Sequence, residues 1–484
     1  MTMRPNTQRS QIALACALIA ASGGVAAAQP VPLLREGELV DGNAVSLNNV
    51  AVNGIGGYSI SLTAAGLSQM WGNATGGPGS ILRTEGTFGP LVQTSIETFY
   101  GFANSGSFGY SASGTGGPVG NFDSVWVDDT PVAVQGDPIL NLPGFFWTFG
   151  SRPTMTNGGE VWWVGGYTDT VGGSTQRRGL FRGNPAIPVL ITDDVVGGIG
   201  ELVNAGTAVT FGFRVSSLGT NWMGIAVVTG PTATDNVVVM NGNAVNAGGG
   251  LVREGTAVSV AAGGDGVEAY SAFAALDVNE SGSWLLAGDT NAATTADHFV
   301  MLNGEIILRE GQTVGGFPLT GAFDWADLND HGDWVVSWNV TDGGVREALI
   351  FNGQLILRET EPVDVDGDGL PDPNITLTDL TTGIDNMYMT NRFGNGEVDI
   401  YFTADTRDLV TEPNPAAIEV YYRMSVFARC SGDFDNNGIV NVPDIFAFLS
   451  AWFAQTYTAD FNRDGTIGVP DIFAFLSAWF APCV

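Results

Sequence analysis

Asn279-Glu280-Ser281-Gly282-Ser283-Trp284 and Asn329-Asp330-His331-Gly332-Asp333-Trp334 stand 50 residues apart and share one plan. Each has an Asn, a Gly three residues on and a Trp that opens an apolar run. Asn and Gly at this spacing mark a tight turn, and the aromatic run behind it reads as a strand. Looser versions occur as NGIGGYSISL from Asn53, NSGSFGYS from Asn104, NGGEVWWV from Asn157, SLGTNWMGIAVV around Asn221 and NGEVDIYF from Asn395. The seven Asn positions are separated by 51, 53, 64, 58, 50 and 66 residues.

A second element alternates with the first. VVVMNGNAV with LVREG (237–255), FVMLNGEIILREG (299–311) and LIFNGQLILRET (349–360) each place Asn-Gly between apolar runs, the strongest short hairpin signal. A period of this size fits four short strands per unit. Seven such units predict a mostly β chain: a seven-bladed β-propeller over 29–428, in which blades hide their faces on one another. Tandem β-sandwiches or a β-solenoid are the rival architectures. Leu33-Leu34-Arg35-Glu36-Gly37 matches the Arg-Glu strand but lacks its hairpin partner, so it is expected to complete the last blade beside Val420-Tyr421-Tyr422. The Asn-x-x-Gly element resembles that of tandem-repeat secreted bacterial proteins known by this motif. The resemblance implies a fold and no activity.

The chain has 484 residues, 68 of them Gly, and a formal net charge of −32. All 18 basic residues are Arg, which removes Schiff-base chemistry and the phosphate-binding lysine of P-loops. So acidic a surface repels nucleic acid and suits cation binding. Residues 1–28 read as a secretory signal, with Arg4 and Arg9 ahead of an apolar Ile12–Ala21 run and small residues before Gln29. The other reading, a membrane anchor, needs a longer run. No later stretch is long and apolar enough to span a bilayer. Cleavage leaves two cysteines, Cys430 and Cys483, which are expected to pair in an oxidising compartment.

Residues 429–484 form a separate unit. The dodecamer VPDIFAFLSAWF is written at 442–453 and again at 469–480. Before each copy lies an acidic loop with oxygen-bearing side chains at loop positions 1, 3, 5 and 12 and Gly at 6. The first comprises Asp433, Asp435, Asn437 and Asp444 with Gly438; the second comprises Asp460, Asn462, Asp464 and Asp471 with Gly465. This is EF-hand spacing, in which position 7, Ile439 or Thr466, adds a backbone carbonyl. Two calcium ions are expected, the alternative being two solvated acidic turns. Two nine-residue helices, each marginal alone, can bury their faces on each other about a pseudo-twofold axis. The unit resembles a dockerin module with flanking cysteines, found at the C-termini of secreted bacterial proteins. The resemblance implies calcium-dependent binding to a cohesin-like module on a scaffold or surface. Its partner-reading positions would be Val442-Pro443 and Val469-Pro470.

One further acidic loop, Asp364-Val365-Asp366-Gly367-Asp368-Gly369-Leu370-Pro371-Asp372, has the D-x-D-x-D-G-x-x-D spacing of a compact calcium site. A third calcium is expected there; a solvated acidic turn is the alternative.

No catalytic set is legible. The only histidines, His298 and His331, form no zinc-binding pair in sequence, and Gly109-Tyr110-Ser111-Ala112-Ser113 fails as a nucleophile elbow at its last position. Paired carboxylates for glycoside hydrolysis remain open among Asp128-Asp129, Asp193-Asp194, Glu160 and Asp324/Asp327. Trp147, Trp162, Trp163, Trp325 and Trp334 either stack on sugars or fill the space between blades. The expected function is a secreted, non-catalytic binding or structural propeller docked through its tail. The alternatives are a carbohydrate-active enzyme acting on polysaccharide and a self-associating surface-layer component.

Overall fold

The computed structural model describes residues 28–204, 209–368, 370–372, 375–378, 384–408, 417–428, 432–435, 439–462 and 466–480. The expected signal, Cys430, Cys483, Asn437 and Asp464 lie outside these residues, apart from Ala28.

Among the described residues the strands form seven antiparallel sheets of four or five strands, each holding the four-strand unit predicted, and one further two-stranded pair. Blade one runs Asn43–Val52, Tyr58–Ala64, Leu67–Asn73 and Ser80–Thr84 from its inner to its outer strand. The innermost strands of blades two to seven are Leu91–Phe102, Phe146–Met155, Val209–Val215, Tyr270–Val278, Phe317–Leu328 and Ile384–Met389.

The cores show that these sheets close into a ring. Seven clusters of buried side chains each join one blade to the next. Met70 of blade one meets Phe102 of blade two, and Val125 of blade two meets Trp147 of blade three. Leu180 meets Trp222, Val238 meets Phe299, Val300 meets Val336, and Phe351 meets Ile400. The last cluster returns from Tyr401 and Tyr421 of blade seven to Tyr58 and Leu47 of blade one. The apolar faces of adjacent blades thus cover one another, which is why units that cannot fold alone are stable in a ring. The outer strand of blade seven is Val31–Arg35, paired with Ile418–Phe427 in the register Leu34↔Tyr421 and Arg35↔Val420. The N-terminal segment therefore completes the blade built from the end of the repeat region.

The Asn-Gly hairpins are as expected. Asn241-Gly242, Asn303-Gly304 and Asn352-Gly353 have φ of 51° and 79°, 51° and 88°, and 48° and 82°, the left-handed pair of a type I′ turn. Each Asn does more than turn the chain. Its Oδ1 accepts the backbone N–H of the Trp that opens the neighbouring strand: Trp222, Trp284 and Trp334, at 2.9, 2.9 and 3.0 Å. The two repeated sequence elements are therefore one hydrogen-bonded unit.

The other turn, between the two innermost strands of each blade, corrects the sequence reading. Its shared residue is the Gly, not the Asn. Gly56, Gly106, Gly159, Gly219, Gly282, Gly332 and Gly396 all have φ between 80° and 91°. Each donates its N–H to the carbonyl three residues back, at Asn53, Ala103, Thr156, Ser216, Asn279, Asn329 and Phe393. Asn104, Asn157, Asn221 and Asn395 are thus not the equivalents of Asn279. Counted by glycine, the spacings are 50, 53, 60, 63, 50 and 64 residues. The left-handed conformation demands Gly, whereas the first turn position is only favoured by a side-chain acceptor. Thr156 Oγ1 and Ser216 Oγ supply it as Asn279 Oδ1 does, accepting from Glu160 N, Asn221 N and Ser283 N at 3.0, 3.0 and 2.9 Å.

Behind the propeller, Val442–Ala454 and Val469–Trp479 are helices. No helix among the described residues is long and apolar enough to cross a membrane.

Candidate functional site

The tail carries most of the expected metal ligands. Its two helices meet face to face. Phe448 and Phe475, equivalent residues of the two copies, stack with centroids 4.4 Å apart and planes 8° from parallel. Phe434 and Phe461, the equivalent loop residues, close edge-on against that pair, Phe434 on Phe448 at 5.4 Å and Phe461 on Phe475 at 5.5 Å. Trp452 Nε1 donates to Gly468 O at 2.9 Å, and Trp479 Nε1 donates to Asn441 O at 3.0 Å. Each helix therefore ties the loop of the other copy, and the tie repeats under a twofold operation.

The loops carry the same symmetry. Asp444 Oδ2 accepts from Asn441 N and Asp471 Oδ2 from Gly468 N, both at 2.7 Å, which caps each helix. Asp444 Oδ1 accepts from Asp435 N at 3.0 Å and Asp471 Oδ1 from Asn462 N at 3.1 Å, which folds each loop back on its helix. Asp433, Asp435 and Asp444 bring carboxylate oxygens within 4.8 Å of one another, and Asp433 and Asp444 are buried. Like charges so close repel unless a cation or protons intervene. In the second loop Asp460, Asn462, Thr466 and Asp471 are described, and Asp471 is buried. Val442, Pro443, Val469 and Pro470 are exposed at the helix starts. Phe446, Phe453, Phe473 and Phe480 are also exposed, so each copy shows an apolar outer face.

The acidic insertion follows the outer strand Gln354–Arg358 of blade six. Val363 and Val365 enter the core between blades six and seven and drag Asp364 inward to 1% exposure. Asp364, Asp366 and Asp372 bring oxygens within 4.8 Å of one another. Asp364 Oδ1 accepts from Gly367 N and Asp372 Oδ2 from Val365 N, at 2.7 and 3.0 Å. Asp368 does not join this grouping; it is exposed and accepts from Leu370 N at 2.8 Å.

The ring centre holds charges of which the sequence reading named Asp327 but neither Asp277 nor Arg214. Arg214 of blade four lies with Cζ 5.8 Å from the Trp325 ring of blade six, and Trp325 meets Tyr388 of blade seven edge-on at 5.6 Å. Asp277 Oδ1 and Oδ2 accept from Val278 N and Leu328 N, both at 2.8 Å, and Asp327 Oδ2 accepts from Met389 N at 2.7 Å. Each acid thereby hydrogen-bonds the innermost strand of the following blade. Burial, then the charge of Asp277, pushes the Asp327 carboxyl well above the usual range. Burial also raises Asp277, against the pull of the Arg214 guanidinium. Arg214 Nε and Trp325 Nε1 are buried atoms with no hydrogen-bond partner among the described residues.

The other acids considered from sequence are dispersed. Asp128 sits in a hairpin with φ 51° and accepts from Phe108 N at 2.9 Å, the job of the Asn in the Asn-Gly turns. Asp129 pairs with Arg83 at 2.6 Å and Asp193 with Arg177 at 3.4 Å. Asp194 accepts from Ile191 N, and Glu160 from Trp162 Nε1. Asp324 is exposed whereas Asp327 is buried. Trp147, Trp162, Trp163 and Trp334 fill inter-blade cores; Trp325 packs against the core between blades six and seven and also meets the Arg214 guanidinium.

No family model matches the chain, and no curated protein matches it. Among solved structures it is similar to prolyl oligopeptidase B from Galerina marginata, with TM-score 0.40 and 11% identity over 87% of this chain and 54% of that one. The chain thus spans about half the length of that enzyme. A protein of unknown function from Dyadobacter fermentans matches at TM-score 0.33 and 9% identity, covering 84% of this chain and 100% of that chain. An alpha-L-arabinofuranosidase of Fusarium graminearum in complex with arabinobiose matches at TM-score 0.29 and 8% identity, covering 82% and 97%. The ring of seven four- or five-stranded sheets, established by its own pairing and cores, places this chain among mostly-β propellers.

Proposed function

We propose that this chain is a secreted, non-catalytic propeller, a binding or structural module held to a cohesin-like partner by a calcium-loaded, dockerin-type tail. The observation that carries the reading is the twofold exchange in the tail, where Trp452 and Trp479 each bond the opposite loop while Asp433, Asp435 and Asp444 converge. Calcium wants six to eight oxygens at a loose radius, and such a loop supplies them. The metal neutralises the crowded carboxylates and so holds each loop against its helix. The exposed Val442, Phe446 and Phe453 with their copies Val469, Phe473 and Phe480 give the apolar area a partner would cover. Asp364, Asp366 and Asp372 would hold a third calcium.

The test is calorimetric calcium titration of the full chain. Three ions are expected, falling to one in the double variant Asp433→Ala/Asp460→Ala, which should also lose capture by a cohesin-type module. No uptake at millimolar calcium would sink the proposal.

A second reading, a carbohydrate-active enzyme, is favoured by one feature: Asp277, Asp327, Arg214 and Trp325 meet at the centre. Against it, both carboxylates are engaged by backbone N–H groups as ties between blades. Release of reducing ends from polysaccharide, abolished by Asp327→Asn, would establish it in place of the first.

A further inference from the structure

His298 opens the third strand of blade five, and three carboxylates surround its ring. Asp289, directly across the ladder on the second strand, puts Oδ1 3.2 Å from Nε2. On the other side of the ring, Asp297 Oδ1 lies 3.1 Å and Glu310 Oε2 3.3 Å from Nδ1. Glu310 follows the fourth strand and its side chain is only 4% exposed. It is locked in place, for its Oε1 accepts Gly321 N of blade six at 2.7 Å.

This arrangement asks for a cation. A neutral imidazole carries one proton. Whichever nitrogen carries that proton, the other turns a lone pair toward carboxylate oxygen: Nδ1 toward Asp297 and Glu310, or Nε2 toward Asp289. Asp297 Oδ1 is a buried atom that accepts no hydrogen bond among the described residues. A carboxylate behind the distal nitrogen is the usual support of a metal-bound histidine. Nδ1-to-oxygen separations of 3.1 and 3.3 Å are close to the edge of a tetrahedron with zinc-like bonds, about 3.4 Å.

The neighbouring blade lacks the device. Counting from Asn303 and Asn352, which play the same part in their turns, Glu347 stands where His298 does and Arg346 where Asp297 does. There Glu347 accepts the Ser337 hydroxyl instead.

We infer that His298 Nδ1, Asp297 and Glu310 form a binding site for a first-row divalent metal such as zinc, with Asp289 orienting the histidine. Imidazole among the ligands favours zinc over calcium, which takes oxygen. Two carboxylates offset the ion's charge, and water would supply the fourth position. Because Glu310 is anchored to Gly321 of blade six, the bound metal would clamp blade five to blade six. The inference stands apart from the calcium reading of the tail.

The experiment titrates Zn2+ into the full chain held in saturating calcium, so that the acidic loops are already filled. One zinc per chain is expected, with a raised Tm, because a ligand that binds only the folded state stabilises it. Co2+ in its place should give a visible absorption band. His298→Ala should abolish uptake, and Asp297→Asn, at the rim of the site, should weaken it at least tenfold while leaving the calcium stoichiometry unchanged. Absence of zinc uptake, or uptake equal in the parent and both variants, overturns the assignment.

Discussion

The propeller and the tail are both built by repetition, yet one has let its letters drift and the other has not. The seven inner turns of the propeller share a main-chain pattern that only Gly must serve; Asn, Ala, Thr, Ser and Phe all stand at their first position. In the tail the two copies meet through equivalent side chains. Phe448 meets Phe475, and Trp452 and Trp479 exchange the same bond. A repeat held by backbone geometry tolerates substitution, whereas one held by self-complementary side chains keeps its copies alike. The second kind is easy to see in a sequence and the first kind is not.

The largest expected effect breaks the tail alone. Phe448→Ala removes half of the stacked pair from a fully buried position and should cost about 3–5 kcal/mol. Calorimetry should show the tail's transition lost and the propeller's unmoved; an equal shift of both would erase the contrast.

Next comes a place where the propeller does depend on particular side chains. Asp333 in the blade-six turn accepts from Arg392 of blade seven, Nε to Oδ2 at 2.6 Å and Nη2 to Oδ1 at 2.5 Å. Burial pushes the Asp333 carboxyl up, but the bonds and charge of Arg392 prevail and hold it below the usual range. A depressed folded value means the stabilisation is present above the unfolded value near 4 and is lost as pH falls through the folded one. Asp333→Asn, which takes the carboxylate away from the Arg392 guanidinium, should cost about 3 kcal/mol at pH 7. Denaturant titrations should show that cost shrinking toward pH 3. A cost independent of pH would mean the ion pair is not its source.

The smallest pair of variants sharpens the rule itself. Gly282→Ala puts a Cβ at φ 80° and should cost about 1–2 kcal/mol. Asn279→Ser keeps an acceptor of the kind Ser216 supplies, and gives up the bond from Nδ2 to Asn329 O and the exposed one from Ser281 Oγ, so about 1 kcal/mol is expected. The reverse order, measured by thermal melting, would return the Asn to the leading place.

Much of the fold was legible. The near-50-residue period, the Asn-Gly hairpins and the Arg-Glu strand that completes blade seven all follow from local turn chemistry, which needs no knowledge of the ring. The turn register was misread because polar Asn is commoner near turns than its geometric role requires; Asn104, Asn157, Asn221 and Asn395 are near neighbours of the true position. Among the central acids, Asp277 escaped notice and Asp327 was matched with Asp324 instead, for a different reason. Asp277 and Asp327 matter only because ring closure points the innermost strands at one another, and nothing in their neighbours along the chain marks it. The His298 cluster draws on residues 289, 297, 298 and 310, brought together by strand pairing rather than spacing. Asp368 shows the opposite error, since a regular acidic pattern does not oblige each member to face the same point.

The join between Val31–Arg35 and Ile418–Phe427 has a temporal side. Tyr421 reaches across to Ser59, 362 residues earlier in the chain, so the first blade waits for the last before either has both neighbours. A ribosome must therefore finish nearly the whole repeat region before the circle can latch. A circular permutant cut between two middle blades, with Phe427 linked to Val31, would turn that late latch into an early hairpin.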